Sequence, residues 1–123
     1  MPYARPAALI VEDQPFIGMV ASDILRESGF DTFHAFDAEG AAQLLDEHPE
    51  IEVMLAEANL SGEVSGVELC RRVAVQRPDV QLVVTAAGAE PTDVPTGARV
   101  LHKPYASGEL RTVVAARSLL ADA

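Results

Sequence analysis

Ala7-Ala8-Leu9-Ile10-Val11-Glu12-Asp13 is the stretch from which the fold can be read. Its first five residues form a short, continuously apolar run, with none of the alternation of a half-exposed strand. Such a run reads as a β-strand buried on both faces, and strands of that kind belong to parallel sheets covered by helices. The run ends abruptly at two acids, Glu12 and Asp13.

Working outward, the same unit recurs. After Gln14-Pro15, a segment carries Phe16, Val20, Ile24 and Leu25 at helical spacing, and Gly29 suits the left-handed position just past a helix. Thr32-Phe33-His34-Ala35 reads as a second strand. Asp37 is a good N-cap for a helix with Ala41, Leu44 and Leu45 on its apolar side, which Pro49 stops. Val53-Met54-Leu55-Ala56 is a third strand, again ending at an acid, Glu57. A loop from Leu60 to Val64 leads to Ser65 and Glu68, which have the spacing of a capping box, and to a helix through Leu69 and Val73 that ends before Pro78. Gln81-Leu82-Val83-Val84 is a fourth strand closing at Thr85, and Val100-Leu101 a short fifth, followed by Lys103-Pro104. A last helix carries Leu110, Val113, Val114, Arg117 and Leu120.

Strands alternating with helices predict a parallel sheet with helices on both faces. One interval breaks the rhythm. Ala86 to Ala98 holds Gly88, Pro91, Pro95 and Gly97, which leaves room for about one helical turn, so the fourth helix is expected to be short or missing.

Composition narrows the function. A chain of 123 residues fits one domain, and 49% hydrophobic residues argue against disorder. No stretch approaches the ~18 apolar residues of a membrane span, and the start of the chain lacks the pattern of a secretory signal, so a cytoplasmic setting is the default expectation. A net charge of -10 disfavours direct contact with nucleic acid or anionic lipid. The single cysteine, Cys70, forms no internal disulfide and reads as a small buried hydrophobe. His34, His48 and His102 have no metal-ligand spacing, and Arg71-Arg72 reads as a solvated helix face. Phe16, Ile17, Met19 and Val20 cannot all face the core, since neighbouring helix positions are about 100° apart, so helix one should keep some apolar surface for a partner.

In open parallel sheets, ligands bind beyond the carboxyl ends of the strands. Glu12 and Asp13, Glu57 with Asn59 two residues on, Thr85 and Lys103 all fall at such ends, and Lys103 is the only lysine among nine basic residues. Clustered carboxylates repel one another unless a cation lies among them, and oxygen ligands of this kind suit Mg²⁺. Lys103 is an alternative occupant. Carboxylates, a hydroxyl and an ammonium are also the parts needed to move a phosphoryl group onto a carboxylate.

These segments resemble the receiver domain of bacterial two-component response regulators. Leu9 to Pro15 is similar to the family's first strand and acidic pair, and Val67-Glu68-Leu69 after Gly66 to the start of its third helix. Val83-Val84-Thr85-Ala86 looks like its fourth strand and switch hydroxyl, and Lys103-Pro104-Tyr105 like its lysine-proline signature, whose peptide bond is usually cis. The resemblance runs from about residue 7 to 120 of a single domain spanning 1–123. It implies an α/β, flavodoxin-like, doubly wound five-stranded parallel sheet of order 2-1-3-4-5. It also implies a protein-interaction role rather than an enzyme, with a histidine kinase, a phosphotransfer protein or another signalling protein as partner, helix one being one docking face.

The departures from the family are specific. Glu57 aligns with the phosphate-accepting aspartate, Ser61 with a usual proline, and Val100 with an aromatic residue that moves on activation. Glutamate reaches about one C–C bond, ~1.5 Å, further than aspartate. A misplacement of about 1 Å can cost roughly a hundredfold in rate, so in-line attack on a phosphodonor should be badly impaired. Glu57 paired with Lys103 can instead imitate the phosphorylated state, with about one charge against about -1.5 to -2 for phosphate. The alternative is a binding scaffold in which Glu57 has no switching role. A flavodoxin-like enzyme is the remote third reading, and the Glu-Asp-Gln-Pro loop after strand one would repel a cofactor phosphate.

Overall fold

The computed structural model describes residues 5–104 and 108–114. The order is β1 (Ala7–Val11), α1 (Pro15–Glu27), β2 (Asp31–Ala35), α2 (Ala38–Glu47), β3 (Ile51–Glu57), α3 (Gly66–Gln76), β4 (Gln81–Ala86) and β5 (Arg99–His102), with residues 108–114 again helical. The five strands are all parallel, as the apolar runs alternating with helices predicted, and lie in the order β2-β1-β3-β4-β5, the flavodoxin-like doubly wound arrangement that the resemblance implied. Arg117 and Leu120 of the expected last helix, and Tyr105 of the lysine-proline signature, lie outside the described residues.

The alternation of side chains along each strand divides the core in two. Leu9 and Val11, Met54 and Ala56, and Leu82 and Val84 pack beneath α2 and α3 with Leu45, Leu69, Cys70 and Val73. Ala8 and Ile10, Val53 and Leu55, Val83 and Leu101 pack on the other face with Ala21, Ile24 and Leu25 of α1 and with Leu110 and Val114. β1 is buried along its whole length, as a central strand covered on both sides must be.

Local chemistry sets the element ends. The Asp37 carboxylate accepts a hydrogen bond from the Gly40 amide at 2.8 Å, and the Ser65 hydroxyl accepts one from the Glu68 amide at 3.1 Å, which is the serine half of the expected capping box. Gly29, at φ 102°, takes the left-handed turn after α1. Between β4 and β5, residues 87–98 form no helix, so the expected fourth helix is missing. The Lys103–Pro104 peptide bond is cis, as the resemblance implied.

One expectation is corrected. The spacing of Phe16, Val20, Ile24 and Leu25 suggested a shared buried face, but Phe16 is 76% and Val20 44% exposed. The buried stripe of α1 is Gly18, Ala21, Ser22 and Leu25, with Ile24 beside it. The cause is a close approach: a Cβ on Gly18 would come within 2.1 Å of the His34 ring on β2. That contact turns Gly18 inward and leaves Phe16, Met19 and Val20 on the outer side. Among the described residues, no helix is long and apolar enough to cross a membrane.

Candidate functional site: a lysine among strand-end carboxylates

Sheet register brings the site together. Val11 pairs with Ala56, Glu57 with Thr85, and Ala86 with His102, so Glu12, Glu57, Thr85 and Lys103 lie along one carboxyl rim. Parity then gives them a common direction. Glu12 follows Ala8 and Ile10, Glu57 follows Val53 and Leu55, and Thr85 follows Val83, all on the face that α1 covers. Glu12, Glu57 and Thr85 are all buried there.

Buried carboxylates require compensation, and here it comes from one side chain. The Lys103 ammonium donates to Glu12 Oε1 at 2.5 Å and pairs with Glu57 Oε2. The remaining oxygens are used in a matching way. Glu12 Oε2 accepts from the Gln14 amide at 3.2 Å, and Glu57 Oε1 accepts from the Asn59 amide, also at 3.2 Å. Each glutamate therefore spans from the lysine to the backbone two residues ahead of itself. The His34 ring Nε2 lies 2.9 Å from the Glu12 carbonyl oxygen, and the Lys103 amide donates to the Ala86 carbonyl at 2.8 Å, which anchors both ends of the pair to neighbouring strands. Burial pulls the lysine's proton affinity down, but hydrogen bonds and attraction from Glu12 and Glu57 outweigh it, and the net direction is up.

Asp13 lies beside Glu12 but takes its strongest partners from the loop after β3. Its Oδ2 accepts from both the amide (3.0 Å) and the hydroxyl (2.5 Å) of Ser61. Those two bonds hold its carboxyl below the usual aspartate range. Asp13 sits one residue past Glu12, on the opposite parity, and the loop after β3 offers it two donors. A proline at position 61 would supply neither an N–H nor a hydroxyl. Sequence reading marked Ser61 as a departure without seeing this contact across 48 positions.

The rim as placed does not fit a divalent ion. Both glutamates are engaged by the ammonium and by backbone amides, Asp13 is bonded to Ser61, and no group of three His, Cys, Asp or Glu among the described residues is arranged to hold a metal. Thr85 stands beside Glu57 on β4, and Asn59 contributes its amide. Val100 is half-buried on β5, next to the inward-facing Leu101. His102 pairs with Glu90 at 2.8 Å on the surface, away from the lysine cluster. Cys70 is fully buried, and burial pushes its thiol up to about 12. Beside the site, Phe16, Ile17 and Val20 of α1, with Ala87, Lys103 and Pro104, line an apolar cavity of about 440 Å³.

A doubly wound parallel sheet that gathers acids, a hydroxyl and a lysine at its carboxyl rim defines a class of α/β domain whose working end is that rim. Within that class, the family model for the response regulator receiver domain matches residues 8–115, and the chain belongs to this family of two-component signalling modules. Solved structures agree in fold. The receiver domain of NtrX from Brucella abortus is similar at 22% identity and a TM-score of 0.81, over 89% of this chain and 96% of its own. The signal receiver domain of an HD domain-containing protein from Pseudomonas fluorescens Pf-5 is similar at 25% identity and 0.80, over 97% of each chain. That of a putative Luxo repressor protein from Vibrio parahaemolyticus reaches 0.79 at 22% identity, over 93% of this chain and 90% of its own. No curated protein sequence matches.

Proposed function

We propose that this chain is an atypical receiver: a cytoplasmic protein-interaction module of a two-component phosphorelay that takes up no phosphoryl group, because Glu57 stands where the accepting aspartate would. The observation that carries this reading is the buried Lys103 ammonium bridging Glu12 and Glu57. A nucleophile must present a free oxygen in line with the phosphodonor. Both oxygens of Glu57 are engaged, one by the ammonium and the other by the Asn59 amide. The partner is a histidine kinase, a phosphotransfer protein or another signalling protein. The apolar surface of α1, where Phe16 and Val20 line the cavity beside the lysine and Met19 is also exposed, is the face offered to it.

The same ion pair favours a second reading, in which Glu57 holds Lys103 as a phosphoryl group would and fixes a constitutively active state. The two readings share the absence of phosphotransfer. Incubation with a small phosphodonor and Mg²⁺, read by intact mass, should leave the wild type unmodified, while Glu57→Asp gains one phosphoryl group. An adduct on the wild type mapping to Glu57 or Asp13 would sink both.

A further inference from the structure

We infer that the chain supplies its own replacement for a divalent cation, Lys103 occupying Glu12 and Glu57 while Ser61 occupies Asp13, so that the rim is closed to Mg²⁺. The inference rests on the reading of a non-accepting site but answers a separate question, since a rim that takes up no phosphoryl group can still bind metal.

The argument is one of ligand supply. Mg²⁺ demands near-octahedral oxygen ligands at about 2.0–2.1 Å and gives up its waters reluctantly. All four side-chain oxygens of Glu12 and Glu57 already accept hydrogen bonds or an ion pair, two from the ammonium and two from the Gln14 and Asn59 amides. Asp13 Oδ2 is held twice by Ser61. An entering ion would displace a lysine that is itself largely buried, and would leave two positive charges competing for the same two carboxylates. The displaced ammonium would also lose both charge-assisted hydrogen bonds in a site with little water to replace them.

The two residues divide the task. Lys103 binds the acids that the two central strands aim toward α1, and Ser61 binds the acid on the opposite parity. Ser61 is a positioning residue, acting on the rim only through Asp13. The outcome is a rim whose charge is set by the chain alone, insensitive to the divalent ion around it.

Thermal melts followed by circular dichroism, in EDTA and in millimolar MgCl₂, test this together with amide line broadening by Mn²⁺. For the wild type, the melting temperature is expected to be the same in both buffers, and the amides of residues 12–13 and 57–59 should not broaden selectively. Lys103→Met removes the built-in cation, and its melting temperature should rise by about 5 °C or more with Mg²⁺. Ser61→Pro keeps the lysine and removes both the amide and the hydroxyl that hold Asp13, so selective Mn²⁺ broadening near Asp13 should appear even if Lys103→Met does not fold. A wild type stabilised several degrees by Mg²⁺, or broadened at the rim by Mn²⁺, overturns the inference whether or not it takes up phosphoryl. So does a Ser61→Pro whose rim amides are not broadened by Mn²⁺, or a folded Lys103→Met that ignores Mg²⁺.

Discussion

Lys103 is the residue on which the site's energetics turn. Its ammonium is largely out of water, and so are the two carboxylates it joins. Such a triad is costly to assemble, because each charge gives up its hydration, and costlier to break, because removal of one member leaves the others buried and unpaired. Lys103→Met should therefore lose about 3–5 kcal/mol of stability at neutral pH. Adding Glu12→Gln and Glu57→Gln to it should restore much of that loss, because no charge is then left without a partner. The lysine's pKa is raised on folding from an ordinary value of 10.5. Its contribution is thus fully present below 10.5 and is lost as pH rises through the higher folded value. Urea titrations across the alkaline range should show the wild type losing stability faster than Lys103→Met above about pH 10.5. Parallel curves would show that the ion pair contributes nothing to stability. Much of this residue's importance could be seen before any coordinates, since it is the chain's sole lysine and falls just past a strand end. The paired glutamates were visible too, as the acids that stop two apolar runs. Ser61 was not, because a hydrogen bond between residues 48 positions apart leaves no periodic trace in the sequence.

Elements matter here mainly as holders of that rim. α3 is pressed against the end of β3: the Gly66 amide donates to the Ala58 carbonyl at 3.1 Å, and a Cβ on Gly66 would lie 1.7 Å from the Glu57 carbonyl oxygen. In an ordinary helix, replacing glycine with alanine gains up to about 1 kcal/mol. At Gly66 the sign should reverse, because the obstacle is backbone and not the far end of a flexible side chain. Gly66→Ala should cost about 1–3 kcal/mol, the range for overpacking a tight contact. The displaced carbonyl belongs to Glu57, so the amide resonances of Asn59 and Lys103 should shift as well. A urea midpoint equal to or above that of the wild type would show that α3 does not need this close approach. The existence of α3 could be read from Ser65, Glu68 and its apolar spacing, but its distance from β3 could not. The same limit applied to α1, where helical spacing identified the helix and misassigned Phe16 and Val20. Periodicity gives the angle between side chains but not the absolute rotation of the helix, which the Gly18–His34 contact decides.

At the scale of the whole molecule, order and charge have different origins. The parallel, helix-covered sheet could be read from strands that alternate with helices, while the order of its strands came only with the family resemblance, because nothing in an apolar run says which neighbour it pairs with. The absent helix between β4 and β5 was equally visible, since Pro91 and Pro95 cannot continue a helix and Gly88 and Gly97 take positive φ. Charge is a property of no single element. The chain carries a formal net charge of -10, and many of its ion pairs are solvent-exposed, among them Arg5–Asp31, Arg26–Asp23 and Arg111–Glu27. Exposed pairs contribute little, about 0–1 kcal/mol each, and salt weakens them. The Lys103 cluster is buried and is screened much less. What salt relieves most is the mutual repulsion of the excess carboxylates, which favours the expanded chain. Raising NaCl from about 0.01 M to about 0.15 M shortens the screening length from ~30 Å to ~8 Å, comparable to the spacing of charges on a small domain. The melting temperature should therefore rise with NaCl by a few degrees, at about 4 °C for each kcal/mol gained. Lys103→Met makes the chain one charge more negative and should rise more steeply. A fall in the wild type's melting temperature over this range would mean that its surface pairs, rather than its net charge, govern how the fold responds to salt.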